Sequence, residues 1–352
     1  MSSKTASGNF FEDFHLGQKI VHATPRTLSH GEAALYTALY GSRFALQSAD
    51  TFAQTVGLAR APLDDLLVFH TVFGKTVPDI SLNAIANLGY AEGHFLKHVY
   101  PGVTLSAHSE VIGLKENSNR QTGVVYVRTD GFDEKEERVL TYVRWVMVRK
   151  RDIEATVPPA HVPTLNESVQ ASTLRVPPHL NFDTLFDPVV SGSTHLWDDY
   201  EIGEKIDHVD GVTVEEADHM MATRLYQNTA RVHFNQFAEA NGRFGRRLIY
   251  GGHVISLARA ISFNGLANAL AIAAINGGRH VTPLFAGDTV FAWSEILDKA
   301  AIHGRKDCAA LRLRLVATKN CPCANFPDKD ASGKYPEDVI LDFDYWAILP
   351  RR

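Results

Sequence analysis

Three polar residues near the middle of the second half of this sequence are of types that can carry out acid–base chemistry. Asn228, Arg231 and His233 lie within six positions of one another. An imidazole exchanges a proton near neutral pH, a carboxamide can hold a water but cannot accept a proton at pH 7, and a guanidinium can bind a carboxylate through two hydrogen bonds. The chain has 16 histidines, so His233 alone does not distinguish a catalytic group from a structural one.

A second candidate feature is the pair Gly251 and Gly252, which begins a strongly apolar helical run. The first N–H groups of a helix have no intrahelical acceptor and carry partial positive charge, and glycine lets a substrate oxygen come close to the backbone. The pair therefore fits an oxyanion-binding site, although a simple turn before a helix has the same sequence. His253, the next residue, either faces such a site or caps the helix.

The sequence repeats itself, which indicates a duplicated fold. Residues 11–20 match residues 197–206, and residues 94–105 match residues 279–290. The offsets are 186 and 185 residues, and the two landmarks occur in the same order. We therefore expect two copies of one domain.

The copies are separated by a segment rich in proline, residues 155–193. Its composition predicts an extended linker on the surface of the two halves. The predicted domains are residues 1–154 and 194–352. The final strands each hold a Trp at an offset of 201, so the second copy has an insertion near residues 320–336, which is expected to be a loop.

Each half is predicted to hold one apolar helix, at residues 66–77 and 252–270, followed by antiparallel strands. The strand-like runs are residues 104–114, 123–130, 139–149, 289–297, 309–318 and 339–349. Within one of them, leucines at 311, 313 and 315 alternate with arginines, the period of a half-buried strand. This order predicts an α+β fold of two antiparallel sheets, each wrapped around a long central helix and joined edge to edge.

Composition excludes several classes of protein. The net charge of -5 and the lack of a basic run argue against a nucleic-acid partner. No stretch approaches the roughly 20 apolar residues of a membrane span, and residues 1–8 lack a secretory signal, so a cytoplasmic location is expected. Cys321 and Cys323 have no second pair of ligands nearby, and no metal site is predicted.

The second half resembles the MaoC-like hydratases of the hotdog superfamily, which act on acyl-CoA thioesters. Asn228 and His233 stand where that family has Asp-x4-His, and Asn235 supplies the polar residue that follows. Residues 279–289 match the family's arginine and Pro-x-x-x-Gly-Asp-Thr. A more particular resemblance, carried by residues 227–233 and by the length, is to the double-hotdog mesaconyl-CoA hydratases. It implies a tandem hotdog fold.

The resemblance also implies roles for these residues in hydrating an enoyl-CoA. His233 is expected to act as general base and acid, Asn228 to orient the water, and Gly251 or Gly252 to donate to the thioester oxygen. A neutral Asn228 avoids a second negative charge beside a substrate carboxylate, which favours mesaconyl-CoA and 2-methylmalyl-CoA as the reactants. Arg231 would bind that carboxylate if it were buried, but a surface arginine on a loop is equally consistent.

Further substrate contacts are expected from Asn235, His253 and Arg247. Arg247, with two nearby arginines, would meet the CoA phosphates, or the three form a solvated basic turn. In the first half, the positions matching the proposed catalytic residues are Ser42, Gln47, Leu66 and Leu67. None of these supplies a base at neutral pH or a glycine, so the first half is predicted to be catalytically silent.

Other functions stay open at this point. A hotdog thioesterase, a non-catalytic acyl-CoA-binding protein and an (R)-specific medium-chain enoyl-CoA hydratase share the same fold. The resemblance implies a homodimer. It implies no cofactor other than the CoA that forms part of the substrate.

Overall fold

The computed structural model describes residues 4–183 and 185–352. The first half contains four helices and five strands in chain order. They are β1 Lys19–Thr27, α1 His30–Tyr40, α2 Ala45–Ser48, α3 Asp50–Thr55, α4 Asp65–Thr76, β2 Ala84–Phe95, β3 Thr104–Glu116, β4 Thr122–Phe132 and β5 Arg138–Arg149. A short helix of the linker, α5, spans Pro188–Ser191.

The second half repeats this order. Its elements are β6 Lys205–Asp207, β7 Val212–Thr213, α6 Glu216–Leu225, α7 Arg231–Phe234, α8 Gln236–Glu239, α9 Gly251–Ile261, α10 Phe263–Leu266, β8 Ala271–His280, β9 Thr289–Ala301, β10 Cys308–Lys319 and β11 Val339–Pro350.

The strands of both halves form one antiparallel sheet. Its order is β1-β3-β4-β5-β2-β8-β11-β10-β9-β6, with β7 also paired to β9. The two halves meet where β2 pairs with β8, with Tyr90 opposite Gly278 and His94 opposite Ala274. The predicted edge-to-edge joining of two antiparallel sheets is confirmed.

Each half of the sheet wraps around its helix because both elements are apolar where they meet. Every residue of α4 is buried, and the Asp64 side chain caps its N-terminus by accepting from the Leu66 N–H at 2.9 Å. On β10, Leu311, Leu313 and Leu315 are fully buried, and the arginines between them form ion pairs across to β11. One helix enclosed by an antiparallel sheet, twice over, is the tandem hotdog arrangement.

The duplication extends to single hydrogen bonds. His22 Nε2 and Ser109 Oγ are 2.8 Å apart in the first half. Their counterparts in the second half, His208 Nε2 and Ser294 Oγ, are also 2.8 Å apart. Hydrogen-bonded side chains at equivalent positions show that the two halves share individual contacts as well as the order of their elements.

The linker lies across the outside of the sheet, and its apolar side chains anchor it to the second half. Val169, Leu174, Leu180 and Phe182 are buried in one cluster that includes Trp346 of β11. The Trp346 indole also donates to the Val169 carbonyl at 3.0 Å. The segment therefore stabilises the second half in addition to connecting it to the first.

One predicted element differs in extent. The helix expected over residues 252–270 ends at Ile261 and is followed by the short α10, within which Asn264 and Gly265 depart from helical backbone angles, Gly265 with a positive φ of 102°. The apolar run continues past this break into β8, so composition did not mark the boundary. None of the helices in the described residues is both long and apolar enough to cross a membrane.

Candidate active site

A cavity of about 1460 Å³ lies at the junction of the two halves. The second half contributes residues around α7 and α9, and the first half contributes α4, β2 and β5. The residues that line the cavity include Phe73, Asn83, Tyr90, Arg144, Asn228, Arg231, His233, Tyr250, Gly251 and His280. The site is therefore built from both copies of the fold.

His233 lies on α7 with its ring at the cavity wall. Its Nδ1 is 2.8 Å from the Leu248 carbonyl oxygen, which accepts a hydrogen bond. This contact places the hydrogen on Nδ1 and leaves the lone pair of Nε2 free. Burial lowers the pKa of His233 to about 4, against a smaller opposing effect of the Leu248 carbonyl. The imidazole is therefore neutral at pH 7 and able to accept a proton.

Asn228 borders the same cavity and is only 1% exposed. Its side-chain Oδ1 accepts a hydrogen bond from the Ala230 N–H at 3.2 Å. The backbone N–H of Asn228 donates to the Thr223 carbonyl at 2.9 Å. The preceding residue, Gln227, has a positive φ of 55°, which turns the chain between α6 and α7. The carboxamide is thus fixed by the backbone around it, as a group that orients a water must be.

A glycine in the first half lets this turn come close. A Cβ on Gly74 of α4 would lie 1.7 Å from the Tyr226 carbonyl oxygen. Any larger residue at 74 would therefore push α4 away from the turn that carries Asn228. The first half thus helps to position the candidate catalytic segment of the second.

Gly251 and Gly252 are the first two residues of α9, so their N–H groups have no intrahelical acceptor. A Cβ on Gly251 would lie 2.3 Å from the His280 ring, and one on Gly252 would lie 2.4 Å from the Tyr250 ring. Packing thus requires glycine at both positions. Gly251 lines the cavity and Gly252 does not, which favours Gly251 as the oxyanion donor.

Arg231 lies at the surface end of the cavity. It is exposed, and its Nη1 donates to Asn83 Oδ1 at 3.0 Å across the junction of the halves. It is therefore not the buried arginine that carboxylate binding in the interior would need.

Three further predicted contacts do not line the cavity. Asn235 is exposed and caps α8 through its Oδ1 and the Ala238 N–H, 3.0 Å apart. Arg247 forms an ion pair with Glu216. His253 is buried with its Nδ1 3.0 Å from the Tyr40 hydroxyl, so its ring lies in the core and neither faces the cavity nor caps the helix. These positions correct the predicted substrate contacts at 235, 247 and 253.

Sequence reasoning missed several residues of the cavity wall. Tyr90 on β2, Arg144 on β5 and His280 on β8 all line it. Arg144 had a signal, since it is the one charge at an inward-facing position of an otherwise apolar strand, where Tyr142 and Val146 are its buried neighbours on the same face. Tyr90 and His280 had no signal because their strands lack a clear alternation.

The corresponding place in the first half is filled. A void of about 10 Å³ lies there, lined by Asp65, Phe95 and His98 at positions equivalent to Tyr250, His280 and Pro283. Arg175 and Pro177 of the linker also border it. This space cannot hold a substrate.

The outer part of the cavity carries positive charge. Besides the buried Arg144, the cavity-lining arginines without an ion-pair partner among the described residues are Arg149, Arg231, Arg243 and Arg279. Of the carboxylates that line it, Asp342 and Asp344 pair with Arg314 and Arg312. Glu239 also lines it without an ion-pair partner among the described residues, so the unpaired cations outnumber the unpaired carboxylates. The mouth is therefore suited to an anionic group such as a phosphate.

Comparisons with known proteins agree with this geometry. The family model described as mesaconyl-CoA hydratase matches residues 2–322. The chain is 65% identical over its whole length to the whole of a β-methylmalyl-CoA dehydratase of Chloroflexus aurantiacus. It is 61% identical, over 99% of its length and all of the relative, to a mesaconyl-CoA hydratase of Cereibacter sphaeroides.

A solved structure supports the fold independently. The double-hotdog protein Rv0216 of Mycobacterium tuberculosis superposes with a TM-score of 0.76 at 25% identity, and 98% of this chain and 99% of that one are covered. Two halves in one continuous sheet are thus shared beyond the range of high sequence identity.

Proposed function

The chain belongs to the mesaconyl-CoA hydratase family, and from this premise we propose that it is a hydro-lyase that reversibly adds water to mesaconyl-CoA to give 2-methylmalyl-CoA. The observation that carries the proposal within the site is the neutral His233, whose Nδ1–H is held by the Leu248 carbonyl so that Nε2 is free as a base. The active site is the cavity at the junction of the halves.

In the hydration direction, His233 Nε2 takes a proton from a water held by the Asn228 carboxamide. The hydroxide oxygen forms a bond to Cβ, and the electron pair of the double bond moves to the thioester oxygen as an enolate. The free N–H of Gly251 stabilises this negative charge. The protonated His233 then returns a proton to Cα, which regenerates the thioester and the neutral imidazole. Water is consumed and no electrons are gained or lost, so this reaction requires no redox cofactor.

The remaining features of the site fit parts of such a substrate. The arginines at the mouth, among them Arg243 and Arg279, are suited to the CoA phosphates. The filled void near Asp65 supports a first half without catalytic activity. The homodimer implied by the resemblance stays a prediction.

The proposal is tested by mixing the purified protein with mesaconyl-CoA and with crotonyl-CoA and following loss of the enoyl-thioester absorbance. We expect rapid hydration of mesaconyl-CoA and much slower hydration of crotonyl-CoA. A thiol reagent in a parallel reaction measures free CoA. Release of CoA would instead indicate a thioesterase, and tight binding without turnover would indicate a binding protein.

Gly251→Ala is expected to lower kcat by about 10²-fold, the size of effect found when one oxyanion donor is lost. The new methyl group would lie 2.3 Å from the His280 ring, so the start of α9 or the ring must move away from the reacting carbonyl. Gly252→Ala is the matched control, since Gly252 itself does not line the cavity and its methyl group would meet the rings of Tyr250 and His70. It is expected to lower the Tm more than it lowers kcat. Full kcat in Gly251→Ala would contradict the assignment.

A further inference from the structure

Arg144 is a buried cation without a counter-ion. Its side chain lies at the cavity wall and is 0% exposed. Nη2 donates to Thr76 Oγ1 at 2.8 Å and lies 3.4 Å from Ser81 Oγ. Nε and Nη1 have no hydrogen-bond partner among the described residues. An arginine in such surroundings normally pairs with a carboxylate.

The protein around Arg144 offers only partial compensation. The guanidinium lies over the Phe73 ring, 4.1 Å from its centroid, a favourable cation–π contact. Burial lowers the pKa of the guanidinium, and the groups that oppose this are the hydroxyls of Tyr142, Tyr90 and Tyr250. No carboxylate of the described chain contributes. The missing charge partner must therefore come from outside the chain if the site is to be balanced.

The position of Arg144 relates it to the proposed reaction centre. Tyr90 is its direct partner in the β2–β5 register, and the Tyr90 hydroxyl is 3.5 Å from His280 Nε2. The His280 ring in turn lies against Gly251, the proposed oxyanion donor. On the other side, Phe73 packs 5.9 Å from Tyr250, whose ring is 5.4 Å from that of His233. The cation thus belongs to the wall that faces the reacting part of the substrate.

We propose that Arg144 binds the free carboxylate of a dicarboxylic acyl-CoA and so selects this class of substrate. The inference rests on the proposed hydration of mesaconyl-CoA and names the group that recognises its second carboxylate. The catalytic base comes from the second half of the chain and the specificity determinant from the first. The first half is therefore silent in proton transfer but active in substrate selection.

The chemistry of the substrate explains why a cation is useful there. When CoA is attached at the carboxyl next to the methyl-bearing carbon, the free carboxylate is attached to Cβ, the carbon that water attacks. Its negative charge repels an incoming hydroxide-like oxygen. A guanidinium hydrogen-bonded to the carboxylate offsets this repulsion and leaves the donors of Arg144 satisfied. A neutral analogue leaves them unpaired, which is how a polar site rejects a substrate that lacks the matching group.

The test compares kcat/KM for mesaconyl-CoA with that for tiglyl-CoA, in which a methyl group replaces the carboxylate. For Arg144→Met we expect kcat/KM for mesaconyl-CoA to fall about 10²- to 10³-fold, with that for tiglyl-CoA unchanged or higher. The Tm should not fall, because the variant removes an unpaired buried charge. Arg144→Lys, which keeps the charge, should raise the KM for mesaconyl-CoA while leaving tiglyl-CoA unaffected.

Arg259 provides a matched control. It lies in α9, is buried, and is outside the cavity lining. Its guanidinium is satisfied by Ser262 Oγ and the Ala269 carbonyl. Arg259→Met is expected to lower the Tm and to leave the ratio of the two kcat/KM values within about threefold of the wild type, a margin well below the selective effect expected at Arg144.

The outcomes separate the two proposals. A wild type that does not hydrate mesaconyl-CoA refutes the proposed function. A wild type that does so, with Arg144→Met or Arg144→Lys losing activity equally on both substrates, refutes the role of Arg144 alone and makes this arginine a structural residue. If Arg144→Met does not fold, Arg144→Lys decides by the same ratio.

Discussion

Replacement of His233 by asparagine is expected to lower kcat for hydration by about 10³- to 10⁴-fold, because a single imidazole acts both as base and as acid in the proposed reaction. Asparagine is the informative substitution, since its Nδ2 can keep a hydrogen bond to the Leu248 carbonyl that now holds His233 Nδ1. The fold around α7 should therefore persist, and KM should change by no more than about threefold if binding is independent of proton transfer.

The pH dependence of kcat/KM is a second test of the role of His233. Because burial lowers the pKa of His233 to about 4, the imidazole stays neutral wherever the protein is folded, and the wild-type kcat/KM should stay constant as the pH falls from 7 to 6. The residual activity of His233→Asn should be equally constant over this range. An acid limb near pH 6.5 in the wild type, or more than a tenth of wild-type kcat in the variant, would contradict the assignment of His233 as the base.

The second large effect concerns stability in acid. We expect the protein to lose its native structure cooperatively near pH 5, because many of its histidines are buried and neutral. Burial is the first cause of a lowered pKa at eight histidines, one of which is His94. The pKa falls furthest at the other seven. They are His219 at about 2, His70 and His253 at about 3, and His98, His208, His233 and His280 at about 4.

The lowered pKa values determine whether stability rises or falls with pH. Each of these histidines stays neutral in the fold while its unfolded counterpart gains a proton below about pH 6.5, so stability is lost as the pH falls. Each group contributes about 1.4 kcal/mol per pH unit. Burial raises the pKa of Asp65 to about 7, and this carboxyl offsets one of the seven. Burial also raises the pKa of Asp64, which acts in the same direction. The remaining slope of about 8 kcal/mol per pH unit exhausts a typical stability of 5–15 kcal/mol within about two pH units.

Urea midpoints measured by circular dichroism at pH 8, 7, 6 and 5.5 test this expectation. His98→Phe is a useful variant, because His98 is half-buried and both of its ring nitrogens are buried without partners among the described residues. It should be as stable as the wild type at pH 8 and show a slope smaller by about one proton. His303→Gln, at an exposed position, should leave the slope unchanged. Stability independent of pH between 7 and 5 would show that the buried histidines are not held neutral.

The parts of the fold that sequence predicted well are those with a clear period. On β10, the alternation of Leu311, Leu313 and Leu315 with arginines located the strand to within one residue at each end. The first central helix, predicted over residues 66–77, spans Asp65–Thr76. Both elements have burial patterns that follow directly from their own sequence.

The central strands β2 and β8 were not predicted because their environment removes the alternation. The first six residues of β8 are all buried, since this strand lies between β2 and β11 with both faces covered at that end. A continuous apolar run there is indistinguishable by period from the end of a helix. The same ambiguity extended the predicted second helix past Gly265 into residues that form β8.

The candidate site likewise combines residues that are close in sequence with one that only the fold brings near them. His233, Asn228 and Gly251 are close in sequence and could be grouped before the fold was known, and all three line one cavity. Arg144 joins them only through the pairing of β2 with β8, a contact between residues almost 190 positions apart. A local pattern can suggest chemical groups, but only the long-range pairing of strands brings a specificity group from the other copy to them.

The linker that borders the filled void has a consequence for the history of the duplicated fold. Restoring glycines at Leu66 and Leu67 would recover the sequence of an oxyanion site in the first half, but Arg175 and Pro177 would still close its entrance. These residues belong to a segment anchored under Trp346 by Val169 and Phe182. The proposed inactivity of the first half is thus accounted for by the path of the linker as well as by the side chains at 66 and 67. Under that proposal, a second active site would require a different course of the chain around residues 175–177 in addition to the two glycines.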